Sequence, residues 1–147
     1  MAIKVEIENL NKRKIDISVI GKTAETVLKK FGYKNIAVDI VFISNYKIRV
    51  LNRKYLGIDT STDVIAFPAC EGMDEIGDIR FLGDIAISSD KAYQNSKIFE
   101  VSFDEEILRY VIHGLLHLLG HEDNNEKNRK KMVKKENEFL EKTKKKL

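Results

Sequence analysis

All three histidines of the sequence fall in one short segment, His113-Gly-Leu-Leu-His117-Leu-Leu-Gly-His121-Glu-Asp123. His113 and His117 stand four residues apart, so on a helix both imidazoles leave the same face. From there two ring nitrogens can reach one ion at about 2.0–2.1 Å. Gly120 is placed where a helix breaks and the chain turns back, and Asp123 follows three residues later. The frame is H-x3-H-x2-G-x2-D. An ion held by three protein side chains keeps a position open for water, the arrangement of catalytic zinc sites. The chemistry this spacing predicts is hydrolysis at a divalent metal, with zinc as the first choice.

Paired histidines on a buried helix also read as core side chains with satisfied hydrogen bonds. The glycine and the carboxylate at these offsets favour the metal reading. The third ligand has two candidates. His121 suits zinc better by type but lies one residue beyond the glycine, whereas Asp123 fits the frame and is preferred. The residue after His113 is Gly114, where an HExxH peptidase carries the glutamate that serves as its general base. Peptidase chemistry therefore ranks below other hydrolysis.

The helix that must hold the histidines is the clearest element of the chain. From Ser102 to Leu119 the apolar residues Ile107, Leu108, Val111, Ile112, Leu115, Leu116, Leu118 and Leu119 cover nearly every side, the mark of an interior helix. Ser102 and Glu105 have the spacing of a capping box. Upstream, Ile3, Val5 and Ile7 alternate with polar residues as in a half-buried strand. A helix is expected from Asp16 to Lys30, ended by Phe31-Gly32, then a buried strand over 36–44. Asn45 is the expected cap of a helix through Ile48, Leu51 and Tyr55, and Gly57–Ser61 a loop. Thr62–Pro68 reads as a strand stopped by the only proline, 71–80 as an exposed connection, and Gly83–Ser88 as a fourth strand. Ser89 or Asp90 starts a short helix, and a charged helix from Asn125 to Lys142 presents Met132, Val133, Phe139 and Leu140. The expected fold is α/β. One small domain spans residues 1–147, with a mixed four-stranded sheet under about five helices and the metal site at the end of a buried central helix.

Composition bounds the rest. The 147 residues are 43% hydrophobic and 33% charged, an ordinary globular balance. No stretch approaches the roughly 20 apolar residues of a membrane span, and the N-terminus lacks the apolar core of a signal peptide; both point to the cytoplasm. Cys70, the single cysteine, reads as a small buried hydrophobe. Net charge is only +3, but from Glu126 to Leu147 ten Lys/Arg residues face four Glu. Such a run is by default a solvated helix face, and it also suits an acidic partner such as RNA.

Three ordered segments carry a resemblance: LNRKYLGIDTSTDVIAFP at 51–68, LGDIAIS at 82–88 and HGLLHLLG at 113–120. Together they resemble the YbeY family of bacterial endoribonucleases. The resemblance implies a compact α/β fold, a zinc ion on three side chains and single-stranded RNA as substrate. It further implies work on the 3′ end of small-subunit ribosomal RNA, a role in ribosome quality control, and the small ribosomal subunit or its proteins as partners. Two positions depart from the family pattern. Asp123 stands where the family has a third histidine, which makes manganese or another oxygen-tolerant ion more competitive. Leu56 follows Tyr55 where the family has an arginine thought to act near the scissile phosphate. Arg53, Lys54 or Arg80 are the candidates to substitute for it, and Arg53, Lys54, Arg109 and the basic last helix are the candidate RNA contacts. Asp63 and His121 are the candidates for proton traffic; Asp63 reads equally well as a turn cap with Thr62. Two other functions fit the same residues: a ribosome-binding assembly factor with weak or no nuclease activity, and a metal hydrolase of another substrate.

Overall fold

The computed structural model describes residues 2–69, 75, 76 and 78–146. Cys70 and positions 71–74 lie outside the described residues, so the expectation for the cysteine has no structural counterpart here. The elements run β1 (Ile3–Asn9), α1 (Ile17–Lys30), β2 (Ile36–Ile43), α2 (Asn45–Leu56), β3 (Val64–Pro68), β4 (Glu75–Ile76), β5 (Ile79–Ser88), α3 (Ser89–Phe99), α4 (Phe103–Leu118) and α5 (Glu126–Lys146). The sheet order is β1-β2-β5-β3. The first three strands are parallel, β3 is antiparallel, and the two-residue β4 adds to the outer end of β5. The result is the small α/β fold expected, a mixed sheet with five helices among the described residues.

Each helix start has a local cause. Asp16 accepts the Val19 N–H ahead of α1, and Ser102 accepts the Glu105 N–H ahead of α4. The carboxylate of Glu105 does not complete a capping box but pairs with Lys144 of α5. Two caps sit one residue earlier than the sequence predicts. Ser44 caps α2, and Ser88 caps α3 by accepting the Lys91 N–H. Asn45 is instead the first residue of α2; its side-chain oxygen accepts from the Ser88 hydroxyl, and its N–H donates to Asp90. The two helix starts thus tie each other down.

The connection expected over 71–80 is partly strand. Glu75–Ile76 pairs back on Ile79–Arg80, and β5 begins at Ile79 rather than at Gly83. The reason the longer strand escapes the alternating pattern is a break in register beside β2: Ala37 pairs with Phe81, but Val38 pairs with Gly83. Leu82 is the extra residue of a bulge. Gly83 takes φ +145 there, and a Cβ would lie 2.2 Å from the Phe67 carbonyl oxygen. Only glycine fits.

The two faces of the sheet are covered unequally. Val38, Ile40, Phe42, Ile85 and Ile87 pack under α1, α4 and α5 in the main core. On the other face, among the described residues, α2 is the helix that contributes to the smaller cluster of Ile43, Ile48, Ile65 and Ala86. Helix α4 lies hard against the sheet: a Cβ on Gly114 would be 2.6 Å from Ile85 and 3.2 Å from Val64.

Candidate metal centre

Helix α4 is buried on most sides, but one stripe of it is polar. Glu106, Arg109, Tyr110, His113 and His117 follow one another at helical spacing. The helix ends in a Schellman motif: the His121 N–H donates to Leu116 and the Gly120 N–H to His117, with Gly120 at φ +93. This turn carries the chain back over the histidine face and delivers Asp123. His113 Nε2 and His117 Nε2 are 3.0 Å apart, and Asp123 Oδ2 is 3.5 and 3.6 Å from them. A triangle with those edges has its corners about 2.0 Å from its centre, the reach of a zinc–nitrogen or zinc–carboxylate bond. The three residues form the one group among the described residues whose donor atoms could hold a metal ion. Their side chains keep 24%, 30% and 42% exposure, so the donors are open to solvent on one side.

His121 is placed differently. Its ring packs against Phe31, with centroids 5.4 Å apart, and does not join the three donors. Burial lowers its pKa, and Lys135 and His117 lower it further, so the ring is neutral near pH 7.

The other nitrogen of His113 is held from α5. Glu136 Oε2 lies 2.7 Å from Nδ1, while Arg109 Nη1 reaches Oε1 of the same carboxylate at 3.2 Å. Burial opposes the imidazolium of His113, but Glu136, Asp63 and Asp123 outweigh it and raise its pKa. Arg109 also donates to Asn137 and pairs with Glu106 at 3.7 Å. Burial raises the pKa of Glu106 against the opposing pull of Tyr110 and Arg109.

Two cavities flank the imidazole pair. One of 590 Å³ is lined by Leu56, the turn Thr60–Thr62, His117, Gly120 and His121 among others. The second, 320 Å³, is lined by Asp63, Arg109, His113, Asp123, Arg129 and Glu136 with apolar neighbours including Phe99. Asp63 is therefore beside the centre, although one carboxylate oxygen is engaged with the Val64 N–H and the Thr62 hydroxyl. Arg109 reaches the centre through Glu136. Arg53 and Lys54 lie exposed on α2 and line neither cavity. The residue that sequence reasoning missed is Glu136. Its signal was a carboxylate in the buried stripe Met132, Glu136, Phe139, Leu140 and Thr143 of an otherwise charged helix.

A profile of the family described as Endoribonuclease YbeY matches residues 6–144. The chain belongs to that family. Named members include an Endoribonuclease YbeY of Aquifex aeolicus, 38% identical over 82% of this chain and 80% of its own. Another, from Chlorobium phaeobacteroides, is 34% identical over 95% of this chain and 94% of its own. The solution structure of a Thermotoga maritima protein superposes with a TM-score of 0.66 at 27% identity, covering 95% of this chain and 88% of that one.

Proposed function

We propose that this YbeY protein is a metal-dependent endoribonuclease cutting single-stranded RNA, with His113, His117 and Asp123 as the ligands of one divalent ion. The observation that carries the reading is the triangle of donor atoms, sized for zinc, on the open side of the cleft. Two imidazoles and one carboxylate fit zinc, and the carboxylate leaves manganese as the next choice. Such an ion supplies Lewis acidity toward a phosphoryl oxygen and acidifies water. The chain's own residues do the rest. Cavities on both sides of the imidazoles allow a strand to cross the centre. Asp63, in the cavity with His113 and Asp123, is our candidate proton acceptor; His121 is in the other cavity, against Phe31. Arg129 and the basic face of α5 border the path and would attract the RNA backbone, with Arg53 and Lys54 further out on α2.

By the family resemblance, the proposed substrate is the 3′ region of small-subunit ribosomal RNA, in maturation and quality control, with the small subunit as partner and the cytoplasm as setting. No helix among the described residues is long and apolar enough to cross a membrane. A zincin-type peptidase finds no support: Gly114 faces Ile85 and Val64, leaving no room for the glutamate such an enzyme needs. A second reading, an assembly factor that binds the subunit and cuts weakly, is favoured by Leu56. It puts an apolar side chain in the wall beside His117.

The test is metal content by mass spectrometry together with cleavage of a labelled single-stranded RNA. Near-stoichiometric metal, cleavage lost in EDTA and regained with zinc, and loss of both in His117→Ala are the expected results. Cleavage indifferent to EDTA and to His117→Ala would overturn the proposal. Metal and RNA binding without cleavage would move the assembly-factor reading to the front.

A further inference from the structure

An imidazole can turn either nitrogen toward an ion, and the unused nitrogen decides which. A ring whose Nδ1–H is held by a fixed acceptor has Nε2 unprotonated and aimed. His113 has such an acceptor in Glu136, at 2.7 Å on Nδ1, while its Nε2 points at His117 and Asp123. The carboxylate is itself fixed, 4% exposed in the stripe that α5 buries. Arg109 occupies its second oxygen, and the same guanidinium is braced by Glu106 and Asn137. Among the described residues the polar neighbours of the His117 ring are His113 and Asp123, both on Nε2.

We propose that Glu136 is a positioning residue of the metal centre. It accepts the Nδ1–H of His113, selects the tautomer that presents Nε2 to the ion, and is held to that task by Arg109. This rests on the three-ligand reading above but adds a fourth and a fifth residue, on two helices, that never touch the ion. It also gives Arg109 a role other than contact with RNA phosphate: its guanidinium is already committed to carboxylates.

Zinc affinity, measured by competition with a chromophoric chelator, tests this without reference to RNA cleavage. Glu136→Ala is expected to lose about 10–100-fold in affinity. Glu136→Gln can still accept from Nδ1–H but gives up the charge and turns an amide toward Arg109, so an intermediate loss is expected. The side-chain nitrogen resonances of His113 supply a readout that a packing role would not move. At alkaline pH, where the ring is neutral, a single Nδ1–H tautomer is expected in the metal-free wild type and a mixture in Glu136→Gln. Phe139→Leu loosens the same face of α5 without touching Glu136 and is expected to keep wild-type affinity and tautomer. Wild-type affinity and tautomer in Glu136→Gln would overturn the inference alone. So would an equal loss of affinity in Phe139→Leu, which would reduce Glu136 to a packing residue. A wild-type protein that binds no zinc would overturn the proposed function as well.

Discussion

Strands β3 and β5 are pressed by α4 on one face and more thinly covered by α2 on the other, and the two faces of the sheet handle charge in opposite ways. On the α4 side Glu136 has Arg109 and His113, Glu106 has Arg109, and Asp123 has both imidazoles, while Asp63 is held by the Val64 N–H and the Thr62 hydroxyl. On the α2 side Glu6, Asp39 and Asp84 stand in one cross-strand row. Burial raises the pKa of Asp39, and repulsion from Asp84 and Glu6 adds to it. The difference teaches how to tell a built site from an accumulation of charge. Opposite signs pair within 2.7–3.7 Å in the first, whereas like signs merely crowd in the second.

The largest expected effect sharpens this contrast at the rim of the cleft. Arg109 serves α5 and His113, while the cavity wall that includes His117 offers Leu56 and, among the described residues, no lysine or arginine. Adding a guanidinium there gives the developing charge of a phosphoryl transition state a donor it lacks. Leu56→Arg is therefore expected to raise the cleavage rate of single-stranded RNA by about 10²-fold, equivalent to about 2.7 kcal/mol of barrier. Leu56 is exposed, so folding is not expected to suffer. An unchanged rate, with metal content intact, would mean that the cleft already supplies the stabilisation from elsewhere.

The next effect probes why the α4 face is closed at all. Gly114→Ala places a methyl 2.6 Å from Ile85 and 3.2 Å from Val64, so either the helix or the strands must shift. The cost expected is about 1–3 kcal/mol in denaturant unfolding of the metal-free protein, as for overpacked cores. Because His113 is the adjacent residue, zinc affinity should fall with it. Full stability in this variant would show that α4 is not seated as tightly as its glycine implies.

These positions also mark what could be read in the sequence. Helix α4 was legible because apolar residues cover most of its circumference and Ser102 marks its start. The donor group was legible because the i, i+4 histidines, the helix-ending Gly120 and Asp123 all lie within eleven residues of one another. The remaining parts depend on partners distant in the chain. Glu136 reads as one more charge in a helix of lysines until α5 is laid along α4, when it alone among the four Glu of that helix is buried against a histidine. Arg109 read as a surface cation for the same reason. The early start of β5 was hidden by the bulge at Leu82-Gly83, which breaks the two-residue alternation on which strand assignment depends. Ser44 and Ser88 were passed over as caps because each has a second capping residue immediately after it.

The smallest effect tests the crowded row itself. Partial desolvation raises the folded-state pKa of Asp84 above its ordinary value of 3.8, although much of the side chain stays exposed. A carboxyl with a raised folded-state pKa favours folding while protonated, and that contribution is lost as pH rises through the folded-state value. At neutral pH the ionised Asp84 therefore opposes folding, and it also opposes the ionisation of Asp39 across the register. Asp84→Asn is expected to raise the thermal midpoint slightly near pH 7, a small gain because the side chain is exposed and solvent screens it. The gain should shrink as pH is lowered and vanish below about 3.8, where the wild-type carboxyl is neutral in both states. Salt should reduce it as well, since part of the penalty is repulsion between like charges. A variant less stable than wild type at pH 7 would break the comparison, because it would mean that Asp84 meets a cation after all and that the row is interlocked as the cleft is.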